Sequence, residues 1–105
     1  MINIKPLKIK AQKITSLAGM AKGLMFSKKK SLLFDFKQEK KVGIHMLFVF
    51  FPLIVIWLDS KKKIKAIKIM KPFVSFHEEK ARWILEIPYT QKLFLRLRRL
   101  RTLKF

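Results

Sequence analysis

A chain of 105 residues is long enough to bury one sizeable core and too short for two, and with half its residues hydrophobic it lies outside the composition of disordered proteins. Its 25 lysines and arginines against six acidic residues give a formal net charge of +19. That field attracts phosphate polymers and anionic membranes without conferring specificity, and the absence of cysteine excludes disulfides, iron–sulfur clusters and thiolate metal sites.

In chain order, Ile2, Ile4, Leu7 and Ile9 alternate with Asn3, Lys5, Lys8 and Lys10, interrupted by Pro6, which reads as an edge strand or a bulged strand. Lysines at 5, 8, 10 and 13 break the continuous apolar core that a signal peptide needs, so Sec-type export is not expected and the cytoplasm is the default compartment. Thr15 or Ser16 can cap a short helix running to Lys22, which Gly19 and Gly23 weaken. After the solvated Lys28–Lys30, Leu32, Phe34 and Phe36 share one face of a strand and Leu33 and Asp35 the other. The polar stretch Lys37–Gly43 has the composition of a loop.

Val42–Leu58 is an uncharged run of seventeen residues, and it admits two readings. A membrane-spanning helix needs about 20 apolar residues, so the run lies at the low end of that range. His45, the central Pro52 and equally basic flanks weigh against a span. Ten of the seventeen residues are β-branched or aromatic, types that suit a pleated surface, and Pro52 can donate to neither a helix nor a sheet ladder. Two central strands, Ile44–Phe51 and Leu53–Leu58, are the preferred reading.

Asp59–Lys63 is then a polar turn of hairpin length leading to a strand over Ile64–Met70. Lys71 and Pro72 end that strand, Phe73–His77 is a short extended piece, Glu78–Ala81 makes one helical turn, and Trp83–Ile87 forms a strand stopped by Pro88. The basic tail, 89–105, fits a strand through Leu93, Leu95 and Leu97, or a helix with Leu93, Leu97, Leu100 and Lys104 on one stripe. Nothing repeats at a fixed period.

Five short motifs occur in a telling order: Gly23-Leu24-Met25-Phe26; Leu32 to Phe36; His45 to Val49; Pro52 to Asp59; and Ala81 to Pro88, ending Leu85-Glu86-Ile87-Pro88. In this order they make the chain resemble the family catalogued as domain of unknown function 192, particularly its small archaeal-like members. The resemblance covers most of residues 13 to 88. It implies a compact, mostly β domain with Val42–Leu58 as sheet core, and it implies no reaction. Two departures stand out. Ile54 occupies a position where such proteins commonly carry an acidic residue, and Tyr89–Arg101 contains neither the Gly nor the Gly-Asp turn usual after the Leu-Glu-Ile-Pro motif.

Catalytic signals are sparse. The sequence HEEKA at His77 lacks the second histidine of a zinc helix, and no nucleophile elbow or glycine-rich phosphate loop is present. No metal or cofactor is expected, and Met20, Met25, Met46, Met70, Trp57 and Trp83 read as core filling. His45, Glu86 and Asp59 form a candidate cleft, because a histidine or carboxylate among apolar neighbours needs a partner or an opening, although Asp59 also suits a turn. Lys61, Lys62, Lys63, Arg96, Arg98, Arg99 and Arg101 form a candidate basic patch for non-specific, salt-dependent contact with nucleic acid.

The sequence therefore predicts a single, mainly β domain over residues 1–105, a compact barrel or two-layer sandwich with one short helix in the N-terminal half. A soluble, cytoplasmic binding or structural module is preferred over an enzyme. A basic protein associating with nucleic acid is the alternative, and a small single-span membrane protein the third reading.

Overall fold

The computed structural model describes residues 1–15, 30–45, 51–71 and 76–105, with the backbone alone at 43–45 and 76. Six strands follow in chain order: β1 (Ile2–Ile4), β2 (Ile9–Ile14), β3 (Leu32–His45), β4 (Leu53–Leu58), β5 (Ile64–Met70) and β6 (Phe76–Pro88). Among the described residues one helix, α1, spans Gln91–Leu97. The strands form one mixed sheet in the order β1-β2-β3-β6-β4-β5, in which β2 and β3 run parallel and every other pair antiparallel. The protein is mainly β, as predicted, and its radius of gyration of 12.3 Å is that of a compact chain of this length.

β4 is the spine. All six residues are buried, with Ile54, Ile56 and Leu58 facing one core and Leu53, Val55 and Trp57 the other. A strand apolar on both faces requires cover on both, and each core has its own. The first is closed by the C-terminal segment, which sets Leu97 and Leu103 fully into it and packs Leu93, Phe94, Leu100 and Phe105 against them. Over the second, the far halves of β3 and β6 curl back. Trp57 pairs with Ile84 across the sheet, so His77 would lie about 23 Å away along a straight β6. Instead the Trp57 and His77 rings meet edge to face with centroids 4.7 Å apart, and Trp57 Nε1 donates to Val42 O at 3.3 Å.

Several expectations change. The predicted loop Lys37–Gly43 is an irregularity inside β3: between the pairs Asp35–Trp83 and Lys40–Ala81, residues 36–39 stand against Arg82 alone. From Lys40 the ladder resumes, and Glu78–Ala81, read as a helical turn, is its partner strand within β6. Polar composition at both places reflects solvent on one side, whereas the extended backbone comes from each segment pairing with the other.

The predicted strand Ile44–Phe51 contributes Ile44 and His45 to the end of β3, while Phe51 lies outside the strands and residues 46–50 lie outside the described residues. Most of the predicted helix over Thr15–Lys22 also lies outside them. The tail is helical, not a strand: Leu93 and Leu97 turn onto the core and Leu95 is left 48% exposed. Among the described residues no helix is long and apolar enough to cross a membrane.

The sheet does not close into a barrel, and β1 and β5 are its edges. At one end the gap between them is spanned by Arg101–Lys104. On one side Ile64 N–H donates to Arg101 O at 2.8 Å and Leu103 N–H to Lys62 O at 3.1 Å; on the other, Lys5 and Lys104 exchange hydrogen bonds of 2.8 and 2.9 Å. An extended segment offers its backbone groups alternately to either side, which is why four residues suffice to reach both edges.

Candidate functional site

The basic face is a by-product of how the tail anchors itself. Pro88 ends β6, and the Thr90 side chain then caps α1, its Oγ1 accepting from Leu93 N–H at 3.2 Å. With Leu97, Leu100 and Leu103 held against the core, Arg96, Arg98, Arg99 and Arg101 are left exposed. The β4–β5 turn meets them from the other side. Asp59 Oδ1 accepts from the backbone N–H of Lys61 at 2.8 Å and of Lys63 at 2.9 Å, and Lys62 takes a φ of 63°. This turn puts Lys61–Lys63 beside Arg101–Leu103, paired through Lys63 and Thr102.

Asp59→Ala removes both acceptors and is expected to cost about 1–2 kcal/mol, read as a lowered urea midpoint. It should also loosen the docking of the tail, which uses Lys62 O.

Not every cation of the predicted patch is free to bind. Lys62 Nζ lies over the Phe105 ring at 4.3 Å and the Trp83 ring at 5.6 Å, and also donates to Phe105 O. Arg98 sits over Phe94 at 5.9 Å. Two lysines that the sequence reading missed join the face instead. Lys5 and Lys104 pair across the end of β1, and with Pro6, Arg99, Leu100, Arg101 and Thr102 they line an open surface cavity of about 610 Å³. No local pattern could have singled them out, because the contact joins the two ends of the described chain.

The six carboxylates lie elsewhere. Asp35 is held by Lys13 and Arg82, Glu39 accepts from Ser60 Oγ at 2.9 Å, and Asp59 is bound within its turn. Glu78 pairs with Lys41 at 3.2 Å, and Glu79 lies 3.6 Å from His77 Nε2. Glu86 is buried in β6 between Leu32 of β3 and Val55 of β4. Among the described residues none of the four cavity cations Lys5, Arg99, Arg101 and Lys104 makes an ion pair.

Of the candidate cleft, Glu86 sits inside the sheet and Asp59 in the turn, four residues beyond Val55, the cross-strand neighbour of Glu86. The His45 backbone ends β3 opposite Phe76, and its side chain lies outside the description. No group of three His, Asp or Glu among the described residues could hold a metal ion.

Asp35 is a buried carboxylate that the sequence reading did not mark as a site. Its Oδ1 accepts from Lys37 N–H at 2.8 Å and Arg82 Nε at 3.1 Å, and its Oδ2 lies 3.7 Å from Lys13 Nζ. Burial by itself pushes its pKa up; the Lys37 N–H, the Arg82 hydrogen bond and charge, and the Lys13 charge outweigh that and hold it below the ordinary 3.8. The geometry is that of a fastener. It supports the left-handed turn at Lys37, whose φ is 64°, and joins β2, β3 and β6.

The same fold occurs in two solved structures. A candidate transcription regulator from Sinorhizobium meliloti is similar with a TM-score of 0.73 and 20% identity, over 90% of this chain and 79% of that one. A protein of unknown function from Novosphingobium aromaticivorans is similar with a TM-score of 0.75 and 18% identity, over 92% and 75%. No curated protein matches the chain. Neither solved structure bears out the archaeal-like side of the resemblance. The sequence profile of domain of unknown function 192, described as an uncharacterized family, matches residues 2–97. With nearly the whole chain matched, the chain belongs to the DUF192 family.

Proposed function

We propose that the chain is a binding module of the cytoplasm, acting as one domain over residues 1–105 and without a reaction of its own, that holds nucleic acid non-specifically on the basic face of its C-terminal segment. One observation carries this reading: all six carboxylates are placed away from the cavity formed by Lys5, Arg99, Arg101 and Lys104, which leaves those cations to a partner. A positive surface without internal counter-charge attracts a phosphate backbone by releasing its counterions, and that term is indifferent to sequence. The aromatic rings near the face, Trp83, Phe94 and Phe105, are engaged by Lys62 and Arg98, so base stacking has little to work with and sequence preference is not expected. The transcription-regulator description of the Sinorhizobium protein is compatible with this reading, but at 20% identity only the fold is shared.

Fluorescence anisotropy with labelled oligonucleotides of unrelated sequence tests it. Binding should be tight at about 50 mM salt, should weaken by at least tenfold at about 200 mM, and should not distinguish sequences. No binding at low salt, or sequence-selective binding that persists at high salt, would overturn it.

A further inference from the structure

The basic face contains one arrangement that repels itself. Lys5 N–H donates to Lys104 O and Lys104 N–H to Lys5 O, at 2.8 and 2.9 Å. Such a two-way exchange is the hydrogen-bonded pair of an antiparallel ladder, with Cα atoms about 5.5 Å apart and both side chains leaving on the same side. Like charges placed directly opposite are destabilising, and the ordinary remedy is an acidic neighbour. None stands here among the described residues, while Arg99 and Arg101 add two more positive charges to the same cavity.

The backbone beneath is fixed on both sides, by Lys5 and by Lys62 and Ile64, so the points from which the two lysine side chains leave cannot separate without breaking those bonds. The cavity, about 610 Å³ and edged by Pro6, Leu100 and Thr102, has room for a phosphate and the groups esterified to it. Arg99–Lys104 lies beyond residues 2–97, the part of the chain that the family profile matches, whereas Lys5 lies within it.

We infer that this cavity is a seat for a single phosphate group, its oxygens shared between Lys5 and Lys104, with Arg99 and Arg101 offering forked N–H donors. The seat deepens the polyanion reading above, on which it rests, by naming the point where the ligand's phosphate is held. Two cations sharing one phosphate act as a unit, so their effects on binding are not additive.

The test compares Lys5→Gln, Lys104→Gln, the double variant, and a charge-matched control, Lys68→Gln with Lys80→Gln, both exposed and on β5 and β6. In anisotropy titrations of a labelled single strand, each single variant should lower the salt slope by about one, and the double no further. The control should stay within about twofold of wild type at about 50 mM salt. In phosphate-free buffer the double variant should melt at or above the wild-type temperature, because a repulsive pair is gone, which also shows that it folds. Inorganic phosphate and a mononucleotide should raise the wild-type Tm and leave the double variant's unchanged.

An equal loss in the control, or full affinity in the double variant, would overturn the seat and leave the polyanion reading standing. Stabilisation of the wild type alone by phosphate or mononucleotide, without oligonucleotide binding, would overturn the polyanion reading and keep the seat. Stabilisation of both proteins alike would overturn the seat.

Discussion

Trp57→Ala should cost about 3–5 kcal/mol, a large part of the 5–15 kcal/mol by which a domain is usually stable. Trp57 is fully buried on β4, and its ring underlies the curl of the sheet. It donates to Val42 O on the far half of β3 and meets the His77 ring on the far half of β6. Alanine removes the surface onto which that ribbon folds and leaves the Val42 carbonyl without its indole donor. Trp57→Phe keeps most of the apolar area and loses the N–H, so about 1 kcal/mol is expected. Urea unfolding followed by far-UV circular dichroism separates the two variants. Amide exchange should quicken first at Lys40–Val42 and His77–Ala81, the segments that Trp57 helps to hold. A loss under about 1 kcal/mol for Trp57→Ala would mean that the ribbon is held in place by other contacts.

Asp35→Asn should destabilise the protein by about 1.5–3 kcal/mol near neutral pH, the range for hydrogen bonds to charged groups, and by much less in acid. The carboxylate is buried and serves Lys37 N–H, Arg82 and Lys13 together. Asparagine keeps one carbonyl acceptor for Lys37 and loses the charge that faces two cations. Because the folded-state pKa is lowered from 3.8, the contribution is fully present above about pH 4 and is lost as pH falls through the lower folded-state value. Urea midpoints measured from neutral pH down to acid should therefore converge for wild type and variant at the acid end. A difference that stayed constant across the range would place the role of Asp35 in its shape and not in its charge.

How much of this was legible depends on where each segment finds its partner. Leu53–Leu58 announces a central strand because its burial on both faces is written into six consecutive apolar residues. The β4–β5 hairpin is equally local, since Asp59 supplies the turn's acceptor from within the turn itself. The far halves of β3 and β6 are different. Lys40–Gly43 and Glu78–Ala81 are polar, carry no apolar alternation, and are extended because each pairs with the other, while Lys37–Glu39 form the irregularity before them.

In the tail, leucines at 93, 95 and 97 satisfy a strand and a helix alike. The choice falls to the core, which takes Leu93 and Leu97 and leaves Leu95 outside. The basic patch was partly legible as a run of charges, and Arg99 and Arg101 do line the cavity. That Lys62 and Arg98 would lie over rings, and that Lys5 would arrive from the other end of the chain to complete the cavity, depends on tertiary contacts that no window of sequence contains.

The four residues Arg101–Lys104 also set an order of events. They bond to Lys5 and to Lys62 and Ile64, partners separated from them by most of the chain on one side and by more than a third of it on the other. A ribosome releases residue 104 long after β1 and β5 have emerged, so until then both edges of the sheet present open backbone groups to whatever is nearby. Pairing across such separations is slow, and it is delayed here until the last step of synthesis of this region. The chain's high positive charge works against edge-to-edge contact between copies during that interval, because like-charged chains repel one another.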